Sequence, residues 1–187
     1  MAHQEQIDFC SKIRDSIPEH FINKKVLDAG SWDVNGSNRY LFQNCDYTGV
    51  DLAEGVNVDV VSRVDELKSD AGFTDGLFDT IISTEMLEHD MHWQESLQNI
   101  VRMLKTGGLF LFTCATEGRV EHGTFCKNPE CSHTAKIIEG GWESYYRNLT
   151  EADIRGINGL SFIDAFEKYT FEINPESHDL YFWGIKK

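Results

Sequence analysis

The run Lys24 to Gly30, KKVLDAG, constrains this chain more than any other stretch, because an apolar pair, a carboxylate and a glycine follow one another without a break. Val26 and Leu27 suit a short buried strand, and Asp28-Ala29-Gly30 end it in a turn. Asn35, Gly36 and Ser37 are residue types that start a helix, so a strand, a glycine turn and a helix are expected in that order. That is the opening of a nucleotide-binding βαβ unit. Only Gly30 and Gly36 are present where a dinucleotide site carries G-x-G-x-x-G, and Asp28 stands at the strand's end. A carboxylate there repels a diphosphate and suits a cationic neighbour, such as an amino-acid ammonium beside a sulfonium.

The rest of the chain reads as repeats of the same alternation. Ile7, Cys10, Ile13 and Ile17 recur at helical spacing, so residues 4–17 form an amphipathic helix stopped by Pro18, and residues 1–23 are expected to cover one edge of a sheet. Residues 47–52 are a second strand ending in Asp51, about twenty residues past the glycine turn, where a carboxylate meets a ribose. VNVDVV at 56–61 is a third strand, and FDTIIS at 78–83 a fourth, more buried one. Leu97, Ile100, Val101 and Leu104 mark a helix closed by Gly107-Gly108, and LFLFTC follows as a fifth strand. Periodicity then disappears from Ala115 to Gly141, and a segment this long inside a compact domain is read as a functional lid, 115–150. Thr150 caps a short helix, and two strand-like runs, 160–173 and 179–187, joined by a turn at 174–177, end the chain as an antiparallel pair. The fold class is α/β, one domain over 1–187 with a mainly parallel sheet and helices on both faces.

Charge and cysteine content narrow the function classes. A formal net charge of -14 argues against a surface that tracks phosphates, though it leaves room for a small local basic patch, and no nucleic-acid partner is expected. Five cysteines in no regular framework fit a reducing compartment, and no apolar run approaches a membrane span, so a cytoplasmic protein with no membrane partner is expected. His122, Cys126, Cys131 and His133 bring four potential zinc ligands into twelve residues, but their spacing matches no common zinc pairing and no metal is expected. The sequence leaves the oligomeric state open.

Taken in order, LDAGSWDVNGS, GVDL, FDTIISTEMLEH and LKTGGLFLFTC resemble the class I S-adenosylmethionine-dependent methyltransferases, in a small, type 11-like form, over residues 24–114. The resemblance implies a Rossmann-like doubly wound sheet of about seven strands with an antiparallel last strand, and S-adenosylmethionine as cofactor. It implies that Asp28, Gly30 and Ser31 lie by the methionine part, that Asp51 and Leu52 hold the ribose, and that Ser83, Thr84 and Glu85 flank the sulfonium. It also places Arg63 where the family has an acid for the adenine amino group. Arginine can only donate, so either Asp65 serves or the adenine is held by backbone near Val64 and by packing. His89, Glu85 and His122 are the titratable candidates for a general base; a helix-start carboxylate is the competing use of Glu85 and local hydrogen bonding that of His89, while His122, in the lid, is either a substrate contact or a solvated loop histidine. Trp142, Tyr145, Tyr146, Arg147 and Asn148 are expected to wall the acceptor pocket, and Trp32 either lies over the cofactor or packs against the first helix. The resulting expectation is methyl transfer to a small polar or anionic acceptor, such as a sugar or a carboxylate-bearing metabolite. A non-catalytic protein that keeps the fold is the alternative, and a nicotinamide oxidoreductase is disfavoured by the missing glycines and by Asp28.

Overall fold

The computed structural model describes residues 4–157 and 162–187, and the start of the run at 160–173 lies outside them. Within the described residues seven strands form one sheet: β1 (Lys25–Ala29), β2 (Asp46–Asp51), β3 (Val60–Val61), β4 (Phe78–Thr84), β5 (Leu104–Ala115), β6 (Phe166–Asn174) and β7 (Asp179–Lys186). Their order across the sheet is β3-β2-β1-β4-β5-β7-β6. Strands β1 to β5 pair in parallel, whereas β7 runs antiparallel to both β5 and β6. Among the described residues, three α-helices accompany them: α1 (Gln4–Ser16), α2 (Trp93–Met103) and α3 (Glu151–Arg155).

Alternation along β5 separates two cores. Phe110 and Phe112 face a large cluster with Leu27, Ile81, Phe182 and the buried stripe Leu97, Ile100 and Met103 of α2. Leu109 and Leu111 face a smaller cluster with Ile82, Tyr181 and the α1 residues Phe9, Cys10 and Ile13. Period-2 alternation in the strand thus puts one helix layer on each face. The aromatic centre of the larger core is Phe182, fully buried, with its ring 5.2 Å from Phe112 and 4.9 Å from Phe171.

Several local expectations are corrected. No α-helix follows Gly30: Asp33 accepts from the Gly36 amide at 2.7 Å in a tight turn, and only a 3-10 turn, Asn38–Leu41, precedes β2. Residues 31–37 carry no helical stripe to bury, so local turn chemistry wins. The first helix lies on a face of the central strands instead of an edge, through Phe9, which its ring stacks 4.5 Å from Tyr181. Only Val60–Val61 of the 56–61 run pairs as a strand. Helix α2 ends at Met103, and Leu104 already adopts extended backbone, so β5 begins before the glycines, with a register shift against β4. Thr150 caps α3 as expected, in a reciprocal capping box with Asp153.

Candidate active site

The strand order reverses at β1, which pairs with β2 on one side and β4 on the other, and the crevice beyond the strands' carboxyl ends is where such sheets bind ligands. A cavity lies there, with an empty volume of about 860 Å³ including its open mouth. Asp28, Gly30, Ser31, Asp51, Leu52, Arg63, Val64, Thr84 and Glu85 all line it, as do His89 and Trp142. Ser83 does not: it is buried beside Met86.

Asp28 at the end of β1 is buried, accepting hydrogen bonds from Asn38 Nδ2 at 3.3 Å and from the Tyr47 hydroxyl. Burial raises its carboxyl to about 6, against the lowering effect of those two donors. Gly30 follows at φ 82°, and a Cβ there would sit 2.5 Å from Met86 Cβ, so the turn packs directly on the residue after Glu85. Beside it the Ser31 hydroxyl is buried without a hydrogen-bond partner. Glu85 is itself held at φ 54°, a conformation non-glycine residues seldom adopt, with Thr113 Oγ1 donating to its carboxylate at 2.8 Å.

Asp51, at the end of β2, accepts from the amides of Leu52 at 2.7 Å and Trp32 at 3.1 Å. A third donor comes from the lid: His133 Nδ1 lies 2.8 Å from Asp51 Oδ1, and the His133 ring stacks 3.8 Å from Trp32. Trp32 is therefore at the cavity wall and not against α1. Nothing in the spacing of His133 pointed to Asp51, 82 positions earlier. Cys131, Ser132 and Thr134 line the cavity with it.

Arg63 is spoken for. Its guanidinium grips Asp65, with Nε 3.0 Å from one carboxylate oxygen, and lies 5.4 Å from the Trp142 ring. With Asp65 neutralised in this way, Val64 and the Trp142 wall remain on that side of the cavity. Of the expected acceptor wall, the structure brings Trp142 to the cavity and leaves Tyr145, Tyr146, Arg147 and Asn148 off its lining. Arg147 instead pairs with Asp153 at 2.5 Å, and Asn148 donates to the Arg119 carbonyl at 3.0 Å.

His122 is also off the lining, but it is placed against His89, ring centroids 5.0 Å apart, and Tyr146 touches both rings. Gly123 makes this approach feasible: its φ is 65°, and a Cβ on it would lie 2.5 Å from His89 Cε1. Burial drives the His89 pKa down to about 3, with His122 adding to the shift, so at neutral pH the ring is uncharged and a weak base. Burial lowers His122 as well, and raises Glu88 well above the ordinary carboxylate range, with the Glu85 charge second. The four lid residues weighed as zinc ligands are dispersed: His133 is at Asp51, His122 at His89, Cys126 is exposed and Cys131 is buried. No helix among the described residues is long and apolar enough to cross a membrane.

A family model described as a methyltransferase domain matches residues 1–172. The ubiquinone biosynthesis O-methyltransferase of Pectobacterium atrosepticum is 32% identical over 108 residues, covering 51% of this chain and 44% of that protein, so the chain aligns with less than half of that relative. Among solved structures, the Burkholderia thailandensis 1,6-didemethyltoxoflavin-N1-methyltransferase, with bound 1,6-didemethyltoxoflavin and S-adenosylhomocysteine, superimposes with a TM-score of 0.62 at 18% identity, over 97% of this chain and 78% of that one. The N-methyltransferase NodS of Bradyrhizobium japonicum, in complex with S-adenosylhomocysteine, gives 0.58 at 15% identity, over 96% and 86%. At these identities the two structures share the fold.

Proposed function

The chain belongs to the methyltransferase-domain family, as a class I S-adenosylmethionine-dependent methyltransferase, and from that premise we propose that its cavity presents S-adenosylmethionine to a small polar acceptor at the His89 end. The observation that carries this reading is the convergence of two carboxylates of different character on one cavity. Asp28 is buried and Asp51 stands at the wall with amide donors behind it. The chemistry of these donors fits the cofactor. Asp51 Oδ2 accepts one amide only and keeps a lone pair for a ribose hydroxyl, Asp28 offers negative charge to an ammonium, and the partnerless Ser31 hydroxyl has an unmet bond.

When bound, the cofactor supplies a methyl carbon already activated by its sulfonium, so the protein's work is alignment and exclusion of water. Glu85, Met86 and His89, in the segment just past β4, line the cavity together with the lid residues Ser132, His133, Thr134 and Trp142. The lining sets the aromatic rings of Trp32 and Trp142 beside the polar side chains of Ser132, Thr134, Glu85 and Asp90, which supports a small polar acceptor such as a sugar. Calorimetric titration with S-adenosylhomocysteine tests the cofactor half, and failure to bind at millimolar concentration would sink it. A screen of polar metabolites for cofactor-dependent methylation tests the acceptor half. Binding without turnover of any acceptor would favour a non-catalytic protein that keeps the fold.

A further inference from the structure

His89, so far only part of the cavity wall, belongs to a group of side chains whose other members, Glu88 and His122, have been given no role. One potential ligand atom from each of Glu88, His89 and His122 lies within 4.8 Å of the other two. Glu88 has no solvent exposure and neither of its carboxylate oxygens has a hydrogen-bond partner. His89 is 5% exposed, and neither ring nitrogen has one. Buried polar groups are ordinarily satisfied, so three neighbours left open toward one point call for a partner that all of them can share.

The third residue is prepared for that role. His122 Nδ1 is 3.1 Å from the Val120 carbonyl, which can only accept, so Nδ1 carries the proton and Nε2 keeps its lone pair. Nε2 is buried and also lacks a partner. A histidine whose second nitrogen donates to a carbonyl is the arrangement that orients metal ligands. The lid reaches His89 here only because Gly123 has no side chain, since a Cβ on it would fall 2.5 Å from the ring. The approach is therefore built into the backbone and does not depend on one rotamer.

We propose that Glu88, His89 and His122 bind a divalent transition-metal ion at the acceptor end of the cavity, and that this ion takes a hydroxyl-bearing acceptor through its oxygen. Two imidazoles and one carboxylate form the ligand set of catalytic zinc and of non-haem iron sites, which keep coordination positions open. His89 lines both the cluster and the cavity, so the open positions have a route to the acceptor. One carboxylate against a divalent ion leaves a single positive charge, which an ionised hydroxyl neutralises. The hydroxyl proton leaves to solvent, the oxygen bonds to the methyl carbon, and the pair of the breaking carbon–sulfur bond stays on sulfur. The acceptor step rests on the methyltransferase reading, whereas the ion site does not.

The test uses the full chain, stripped with a chelator and dialysed, then titrated with Co²⁺ while visible d–d absorption is followed. One equivalent should give bands of a low-symmetry site, Zn²⁺ should displace it, and a simple phenol should shift the bands. Glu88→Gln and His122→Ala should each weaken Co²⁺ binding by at least about tenfold. Gly123→Ala should do so as well with every ligand still in place, and thermal unfolding checks that each variant is folded. No saturable spectrum at one equivalent, or binding unchanged in the variants, overturns the site, leaving a buried histidine–carboxylate cluster; bands that ignore phenol overturn the acceptor half. Calorimetry of the metal-free chain with S-adenosylhomocysteine separates the two readings. Cofactor binding without a stoichiometric ion removes only this inference, and a stoichiometric ion without cofactor binding removes only the other.

Discussion

Replacing Asp51 with alanine is the most direct challenge to the placement of the cofactor. Its Oδ1 already accepts from the Leu52 amide and from His133, which fills the two in-plane lone pairs of that oxygen. Its Oδ2 accepts from Trp32 alone, so one position is open to a ribose hydroxyl while the lid histidine stays where it is. A single charge-assisted hydrogen bond contributes about 1.5–3 kcal/mol. Asp51→Ala should therefore weaken S-adenosylhomocysteine binding by roughly 10- to 150-fold, at 1.4 kcal/mol per decade. The substitution also strands two amides and an imidazole, so a thermal melt must come first; a stability loss of about 1–2 kcal/mol is compatible with the binding measurement. His133→Ala provides the opposite sign. It frees the second position on Oδ1, and affinity should rise by up to about tenfold, the worth of one further bond less its desolvation. Calorimetric affinity in a folded Asp51→Ala protein that stays within about twofold of the parent would refute the ribose assignment. A His133→Ala protein that binds more weakly would mean that the histidine holds the ligand and does not compete with it.

Three further outcomes follow from the same geometry. Asp28, raised by burial to about 6 from an ordinary 3.8, stabilises the fold below about pH 3.8 and loses that contribution as pH rises through about 6, a change of about 3 kcal/mol. Affinity for S-adenosylhomocysteine should move the other way, strengthening as Asp28 ionises and faces the ammonium, and a flat profile between about pH 5 and about pH 8, identical in Asp28→Asn, would contradict this. Gly30→Ala forces a side chain onto a φ of 82° and into Met86, and should cost more than about 1 kcal/mol in denaturant unfolding as well as cofactor affinity; a neutral variant would mean that the turn is softer than drawn. Phe182→Ala should cost about 3–5 kcal/mol of unfolding free energy, because its ring is the common neighbour of the larger core, and a loss under about 1 kcal/mol would show that the core can collapse into the gap.

The sequence spoke clearly where one local signal decides one local structure. Val26-Leu27 next to Asp28, the carboxylate closing β2, and the Leu97-Ile100 stripe before a run of apolar residues each carry their own period, and together they order the sheet and its binding edge. It misled where polar turn residues resemble helix starts, as at Asn35-Gly36-Ser37, since a cap without an apolar stripe behind it has nothing to bury. It was silent across the lid. His122 meets His89 between the left-handed Gly118 and Gly123, and His133 meets Asp51 between two short 3-10 turns, and no periodicity encodes such a path. Arg147 looked like a substrate group because of its aromatic neighbours, yet the capping box at Thr150 sets Asp153 within its reach and engages it on the surface.

The stacking of Phe9 on Tyr181 ties the timing of folding to the order of synthesis. Helix α1 is made before β7, yet β7 supplies part of its seat on the sheet through Tyr181. A contact between residues so far apart in sequence closes a very large loop, and such contacts form late and slow the overall rate. Until then the apolar face of α1 is exposed, and a nascent or truncated chain lacking β7 carries an unprotected Phe9 that favours association with other chains. Pulse-labelled hydrogen exchange during refolding should find the amides of α1 protected no earlier than those of β7, and earlier protection would show that the helix docks on β4 and β5 alone.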